Sequence, residues 1–288
     1  MRSTVTANLF QSVLRAKKSL GQHFLHDPRT HERIVKAVAP SSEDVVVEIG
    51  PGTGLLTKHL LATPLQRLIA YELDSRAVPL LHEQFPDKRF EVREQDFLEA
   101  NLQETANRVA APRLKVVGNI PYYITSPILF KLIDERAAVR TATLLVQREV
   151  ADRLVASPST KAYGIPTVLA NFFGEVKFLF GVPAGAFRPV PNVDSAVIQI
   201  DFRRDFFSRT DVTPSADFDE EKFRTMVRTL FNMRRKTIRN NLKSMISNEH
   251  IQAMELSEGK RYLDLRAEAL TIQDFLNLYR YITVSGGE

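Results

Sequence analysis

The sequence predicts an α/β protein: a parallel sheet covered on both faces by helices, followed by a helical C-terminal region. Three observations carry this expectation. Short apolar runs such as Val45–Ile49, Arg67–Glu72 and Leu114–Val117 alternate with helical patterns in the first half of the chain, as strands of a parallel sheet alternate with their crossover helices. A Gly-rich turn, Gly50-Pro51-Gly52-Thr53-Gly54, joins the first of these runs to a helix. From about Asp205 the composition turns polar and charged, and the remaining apolar residues fall at helical spacing.

Residues 1–16 read as a loose leader and Lys17–Leu25 as a basic, Gly-containing loop. Asp27-Pro28 starts a helix, with Asp27 as N-cap and Pro28 in the first helical position; Ile34, Val35 and Val38 form its apolar side. Val45–Ile49 is the next strand, and a helix follows the Gly-rich turn through Leu55, Leu56, His59 and Leu60. Arg67–Glu72 is a second strand of the sheet, Ser75–Phe85 a helix, and Phe90–Val92 a third strand leading into Gln95-Asp96-Phe97. Leu114–Val117 is the fourth, Ser126–Ile133 a helix, and Ala142–Val146 the fifth. Helices are expected over Glu149–Val155 and Tyr163–Phe173, the latter tolerating Pro166 in its first turn. Glu175–Phe180 and Ala196–Phe202 read as further strands, separated by a Pro- and Gly-rich connection over Pro183–Asp194. Phe223, Val227, Leu230, Phe231, Ile238 and Leu242 then mark helices, and Tyr262–Leu265 and Ile272–Tyr279 a helical tail. The expected organisation is a leader at 1–16, an α/β domain at 17–208 and a small helical domain at 209–288.

The 288 residues contain no cysteine, which excludes disulfides, thiolate metal sites and a Cys nucleophile. The six histidines are scattered without metal-ligand spacing, so no metal is expected. There is no run of apolar residues long enough to span a bilayer and no signal-peptide core, so a cytoplasmic protein without membrane attachment is expected. Nothing in the pattern demands an oligomer, and a monomer is expected. The net charge of +5 is mild, but its distribution is not even: Lys222–Lys243 holds eight Lys or Arg and no Asp or Glu. Arg228, Arg235 and Arg239 lie there at near-helical spacing and are candidates for phosphate contacts, as are Lys17 and Lys18. A solvated basic helix would have the same composition.

The unit VVVEIGPGTGLL is strand, turn and helix. Its glycines let the backbone approach a ligand where a Cβ would clash. The spacing is G-x-G-x-G, not the dinucleotide G-x-G-x-x-G. No Lys follows as in a nucleotide-triphosphate loop, and Glu48 beside the turn would repel a pyrophosphate. Glu72 ends the second strand of the sheet, where a carboxylate accepts from both hydroxyls of a ribose. Asp96 follows the third strand at the same edge and can accept from an exocyclic amine. Together these describe an adenosine site without phosphates, suited to a cationic adenosine such as S-adenosylmethionine.

The run GNIPYYITSPILF, Gly118–Phe130, leaves the fourth strand at that same edge. Pro121 has no N–H for a ladder, so pairing stops there. Asn119 and the Ile120 carbonyl are two acceptors able to hold an amine with its lone pair aimed at a sulfonium methyl; the in-line displacement then needs mainly positioning. Tyr122 would stack on the ring that bears the amine. Phe187, in AFRPVPNVDSAV, is a candidate second stacking face, and a core aromatic would fit the same position. A base in a folded RNA or a duplex must be flipped or unpaired to reach such a site.

In order, KKSLGQHFL, VVVEIGPGTGLLT, YELD, QDFL, VVGNIPYYITSPILF, LLVQREVADRL and FRPVPNVDSAV form a pattern over residues 15–285. By it the chain resembles the KsgA-type small-subunit (16S) rRNA adenine N6,N6-dimethyltransferase family, whose more distant relatives methylate large-subunit rRNA. The resemblance implies a Rossmann-like S-adenosylmethionine-dependent methyltransferase domain with a small α-helical C-terminal domain. It implies four methyl transfers to N6 of two adjacent adenosines in the 3′-terminal hairpin loop of 16S rRNA, in the small ribosomal subunit or its precursor. By motif match, His23, Leu25, Gly50, Gly52, Glu72, Asp96 and Asn119 would contact the cofactor, and Asn119, Tyr122 and Phe187 would carry the target adenine. His23 stands where many members have Asn; both can donate a hydrogen bond.

Three other functions are compatible with some of these features. A methylase of large-subunit rRNA or of DNA adenine would need the same active site, though FRPVPNVDSAV and the C-terminal region favour the small subunit. A ribosome-assembly factor acting by docking and release would need the basic surface but not an intact Glu72, Asp96 and Asn119. A nicotinamide dehydrogenase is excluded by the glycine spacing and leaves the Asn-Ile-Pro-Tyr run unexplained.

Overall fold

The computed structural model describes residue 17, residues 21–215 and residues 217–284; the expected leader and Lys18 lie outside the described residues. Nine strands are present among them: β1 Phe24–Leu25, β2 Val45–Ile49, β3 Arg67–Glu72, β4 Phe90–Glu94, β5 Leu114–Asn119, β6 Val139–Gln147, β7 Glu175–Val182, β8 Phe187–Arg188 and β9 Ser195–Asp201. Seven form one sheet in the order β4-β3-β2-β5-β6-β9-β7. β2, β3, β4, β5 and β6 pair in parallel. The chain therefore builds outward from β2 to β4 on one side and from β5 to β6 on the other. The loops leaving β2 and β5 diverge, and a crevice opens at their carboxyl ends.

The central strands read as continuous apolar runs because both their faces are covered; Val45–Ile49 is buried throughout. On one face Val46, Leu68, Val117, Leu145 and Val197 pack with Ile34 and Val38 of the helix Pro28–Val38 and with Leu56 and Leu60 of the helix Leu55–Leu61. On the other, the Tyr71 hydroxyl lies 2.7 Å from Thr105 Oγ1 of the helix Leu102–Arg108. The helix Pro28–Val38 begins as its sequence predicts: Asp27 accepts from the Thr30 N–H at 3.1 Å and Pro28 stands in the first turn. Gly118 of β5 stands opposite Ile49 of β2. A Cβ there would lie 2.9 Å from both the carbonyl oxygen and the Cβ of Ile49.

Two features differ from the sequence-based expectation. β9 lies antiparallel between β6 and β7, so the sheet is mixed. A parallel return needs a crossover helix, and Pro183–Asp194 provides no more than a short 3-10 turn at Ala184–Ala186. That connection also contains β8, which pairs antiparallel with β1 (Leu25 opposite Phe187) and is reinforced by the His26 N–H donating to the Ala186 carbonyl at 2.8 Å. The N-terminal loop is thereby tied to the loop before β9.

The chain divides into two compact units, one formed by residues 1–151 and 174–204 and the other by 152–173 and 205–288. The segment 152–173 thus groups with the C-terminal helices, whereas the sequence reading places it in the α/β domain. Its helix Ile165–Phe173 is strongly apolar and would suit either setting. Within the second unit Phe172 stacks on Phe223 at 4.2 Å and on Phe206 at 5.6 Å. The helix Glu220–Asn232 is capped by Asp219, whose backbone N–H donates to the Tyr279 hydroxyl at 2.9 Å.

Because the Ile49 backbone cannot retreat from a Cβ at Gly118, Gly118→Ala should destabilise the fold by about 1–3 kcal/mol, read from the urea midpoint. Gly185→Ala, with nothing within 4 Å of the added carbon, should change it by less than about 0.5 kcal/mol.

Candidate active site

The carboxyl ends of β2, β3 and β5 and the segment after β4 open into one pocket. Its walls include His23, Gly50, Gly52, Glu72, Asp96, Asn119 and Tyr122. Seven of the residues expected at the site are thereby brought together.

The floor is the turn after β2. Gly50, Gly52 and Gly54 have φ of 61°, 53° and 72°, which disfavour any side chain. A Cβ on Gly52 would stand 2.8 Å from the Phe24 ring, while one on Gly50 would meet nothing within 4 Å. Glu72 fastens this floor to the end of β3. One of its carboxylate oxygens accepts from the Gly52 N–H at 2.9 Å and the other from the Asp74 N–H at 2.8 Å. Each oxygen keeps a further lone pair, so the carboxylate that shapes the turn can also accept from ligand hydroxyls. Burial pushes the Glu72 carboxyl above its usual range, and the two N–H groups work against that shift.

Asp74 is held by the Arg76 guanidinium through two hydrogen bonds, of 2.8 and 2.5 Å, which lower its carboxyl well below the usual range. Gln22 and Lys17 each approach it at 3.4 Å, so the N-terminal loop is anchored at the pocket mouth. Asp96 caps the short turn Phe97–Glu99 by accepting from the Leu98 N–H at 2.8 Å through one oxygen. Its second oxygen has no partner among the described residues.

Asn119 ends β5, and its side-chain amide donates to the His23 carbonyl at 2.8 Å. A carbonyl can only accept, so Nδ2 faces His23 and Oδ1 is left as an acceptor without a partner among the described residues. Ile120 is buried and its N–H is spent on the Leu145 carbonyl at 3.0 Å. The chain then turns at Pro121 into a 3-10 helix, Tyr122–Ile124. The Tyr122 hydroxyl lies 2.8 Å from Ser195 Oγ, and burial raises its pKa, so it stays a neutral phenol.

His23 lines the pocket; its Nδ1 donates to the Pro189 carbonyl at 2.8 Å and its ring stacks on Tyr122 at 5.8 Å. Two expected residues, Leu25 and Phe187, stand differently. Leu25 is buried in the core through its pairing with Phe187; it lines a small neighbouring cavity with Glu48, His31 and Thr53, not the main pocket. Phe187 is 0% exposed and packs among Leu25, Val182 and Val197. It offers no face to a base and belongs to the apolar core.

Glu48 also departs from expectation. It is 1% exposed beneath the turn, accepts from Thr57 Oγ1 at 2.7 Å, and is pushed up to about 8 by burial with the Glu72 charge adding. With its proton on, Glu48 neither repels a phosphate nor attracts a cation. Nearby His31 stacks on His59 and is lowered to about 4, again by burial first.

The basic stretch is not one helical face. The helix Glu220–Asn232 ends before Arg235, and a second short helix, Ile238–Leu242, carries Arg239. Three consecutive cations, Arg234 to Lys236, occupy the break. Arg239 is paired with Glu255 and Asp264, and Arg228 stands 3.7 Å from Glu221. Arg235 and Lys236 are exposed and without an acidic partner among the described residues. Sequence distance hid the pairing of Arg239, because its acids lie 16 and 25 residues downstream. Sequence reasoning also missed Ser195, whose only signal was its place in FRPVPNVDSAV.

Residues 13–283 match the family described as ribosomal RNA adenine dimethylase. The chain is 41% identical, over 93% of its length and 94% of the relative's, to ribosomal RNA small subunit methyltransferase A of Chlorobium phaeobacteroides. It is 43% identical to the protein of the same name from Salinibacter ruber, over 93% and 85%. Among solved structures it is similar to a dimethyladenosine transferase from Plasmodium falciparum (TM-score 0.73, 26% identity, 92% of this chain and 98% of that one). It is also similar to the 23S rRNA methyltransferase ErmE (TM-score 0.66, 27% identity, 90% and 99%).

Glu48 generates a pH prediction. Its folded value near 8 lies above the ordinary 4.5, so between them the folded state keeps a proton that the unfolded chain releases. Stability therefore falls as pH rises through that window. Above 6.5, the ordinary value of His31, that histidine no longer opposes the trend. In urea titrations, Glu48→Gln should flatten the decline from about pH 6.5 to about pH 8, leaving the residual slope due to Glu72.

Proposed function

Since the chain belongs to the ribosomal RNA adenine dimethylase family, we propose that its pocket binds S-adenosylmethionine and presents N6 of adenosines in the 3′-terminal hairpin loop of 16S rRNA for dimethylation. The chain is an rRNA adenine dimethyltransferase of the small-subunit type, dependent on a methyl donor. The observation that carries the substrate side is Asn119: its amide is oriented by the His23 carbonyl, so Oδ1 is available to the pocket.

S-adenosylmethionine supplies an electrophilic methyl group on a sulfonium when bound. Glu72 accepts from the ribose hydroxyls with the lone pairs left over from Gly52 and Asp74, and Gly50 and Gly52 admit the ligand against bare backbone. The free oxygen of Asp96 accepts from an exocyclic amine. Asn119 Oδ1 and the Ile120 carbonyl accept from the two N6 protons of the target adenine. Both bonds favour a nitrogen lone pair freed from conjugation and directed at the methyl carbon. No strong base is needed, because the N6 proton becomes acidic once the fourth bond to nitrogen forms, and it leaves through the same acceptors to water. Tyr122, fixed by Ser195, stacks on the adenine. The target must be an unpaired or flipped nucleotide, and exposed Lys and Arg such as Arg235 are available to phosphates elsewhere in the RNA.

Labelled methyl transfer to small subunits from cells lacking the modification tests the proposal. Nucleoside analysis should find N6,N6-dimethyladenosine on those subunits and none on large subunits or DNA. Transfer confined to large subunits would overturn the substrate assignment, and binding without transfer would overturn the enzymatic one. Glu72→Gln should weaken S-adenosylmethionine binding by about tenfold or more in calorimetry, as expected for losing a charged hydrogen-bond partner. Tyr122→Ala should cut methyl transfer by about tenfold or more while cofactor affinity changes little; equal losses in both would count against stacking.

A further inference from the structure

The adjacent tyrosines Tyr122 and Tyr123 go separate ways. In the 3-10 turn Tyr122–Ile124, the first ring turns inward to Ser195 and His23. The second lines the pocket yet is 59% exposed, and its hydroxyl has no hydrogen-bond partner among the described residues. An isolated exposed aromatic needs no explanation. This one is seated: one ring edge lies against Gly21, where a Cβ would meet Tyr123 at 3.1 and 3.2 Å and φ is +56°. The loop thus meets the ring edge at a residue that only glycine suits on both counts. Much of the side chain stays open to solvent.

Lys17, whose carbonyl accepts from the Gln22 N–H at 3.4 Å, brings a cation to the N-terminal segment. Its ammonium lies 3.4 Å from Asp74, but that carboxylate already receives both hydrogen bonds from Arg76. Lys17 is therefore charge in excess of its partner, and its side chain is 43% exposed. An exposed aromatic ring at the rim of a nucleotide pocket is a surface on which an unpaired nucleobase can stack. When one nucleotide is drawn out of its stack, its neighbour in the strand loses a stacking partner at that point.

We propose that Tyr123 on Gly21 forms a second nucleobase seat, at the exposed rim of the methyl-transfer pocket, for the unpaired base next to the target adenosine in the same RNA strand. The seat rests on the dimethyltransferase reading above. Tyr123 positions substrate and takes no part in the methyl transfer itself.

Steady-state methyl transfer to unmodified small subunits separates this role from a structural one. Tyr123→Ala and Tyr123→Leu should raise the subunit concentration for half-maximal rate about tenfold. In both, kcat at saturating subunits and the calorimetric affinity for S-adenosylmethionine should stay within about twofold of wild type. Tyr123→Phe, which keeps the ring, should restore wild-type half-saturation. A leucine variant equal to wild type would overturn the seat, because stacking would not be what holds the RNA. Parallel losses of cofactor and RNA affinity in the alanine variant would also overturn it, since the ring would then merely prop the pocket. If the wild-type protein transfers to no RNA, the dimethyltransferase reading fails and the seat falls with it; a transferring wild type matched by Tyr123→Ala overturns the seat alone.

Discussion

A single buried carboxylate sets the geometry on which the pocket depends. Glu72 reaches from the end of β3 across to the turn after β2 and accepts one backbone N–H from each side. The turn needs such an acceptor because the Gly52 N–H points away from any ladder, whereas the Gly50 and Gly54 N–H groups donate to the Tyr71 and Pro51 carbonyls. The cost of burying the carboxylate shows in its raised pKa. That cost is offset by the two N–H groups here, and a ligand's hydroxyls would offset it further. Stability of the turn and affinity for a ribose therefore draw on the same oxygens, which explains why the acid stands at a strand end and not on a solvated loop.

The substrate side is arranged by the same economy of backbone groups. Pro121 ends β5, and Ile120 spends its N–H on β6 before the chain departs. Its carbonyl and the Asn119 amide are then fixed by what surrounds them and not by a ligand. His23 supplies the carbonyl that orients Asn119, and the β1–β8 pairing supplies the reason His23 is there. The N-terminal loop, the loop before β9 and the end of β5 thus form one connected wall. Preorganisation of this kind suits a displacement in which positioning supplies most of the rate.

Burial and pairing also separate residues of similar chemistry. Glu48 and Glu72 both stand at strand ends beside the glycine turn. Glu48 meets a threonine hydroxyl and keeps its proton up to about 8, whereas Glu72 meets two amides and faces the pocket. Arg235 and Arg239 are likewise close in sequence, yet Arg239 is committed to Glu255 and Asp264 while Arg235 stays exposed. Composition counts such charges equally, although only the uncommitted ones are available to phosphates.

The sequence by itself determined the strand-and-helix alternation of β2 to β6, the glycine turn, the ends of β3 and β5 and the residues Gly50, Gly52, Glu72, Asp96, Asn119 and Tyr122. These are local properties: apolar runs, glycines where φ is positive, a proline that stops a ladder, an acid at the next strand end. Its reading of Leu25 came from motif order, which does not say which way a side chain turns, and Phe187 stayed open between a stacking face and a core aromatic. Tertiary structure alone decided that Leu25 and Phe187 pair and go into the core, that His23 turns to Tyr122, that Ser195 holds Tyr122, and that the sheet closes with antiparallel strands. It also decided that residues 152–173 group with the C-terminal helices. Each outcome depends on partners tens to hundreds of residues away, as in the 166-residue separation of His23 and Pro189, and no local pattern encodes them. Tyr123 is the clearest case: beside Tyr122 in sequence it is simply another aromatic, and only the tertiary structure shows that its ring edge meets Gly21 while much of the side chain stays open to solvent.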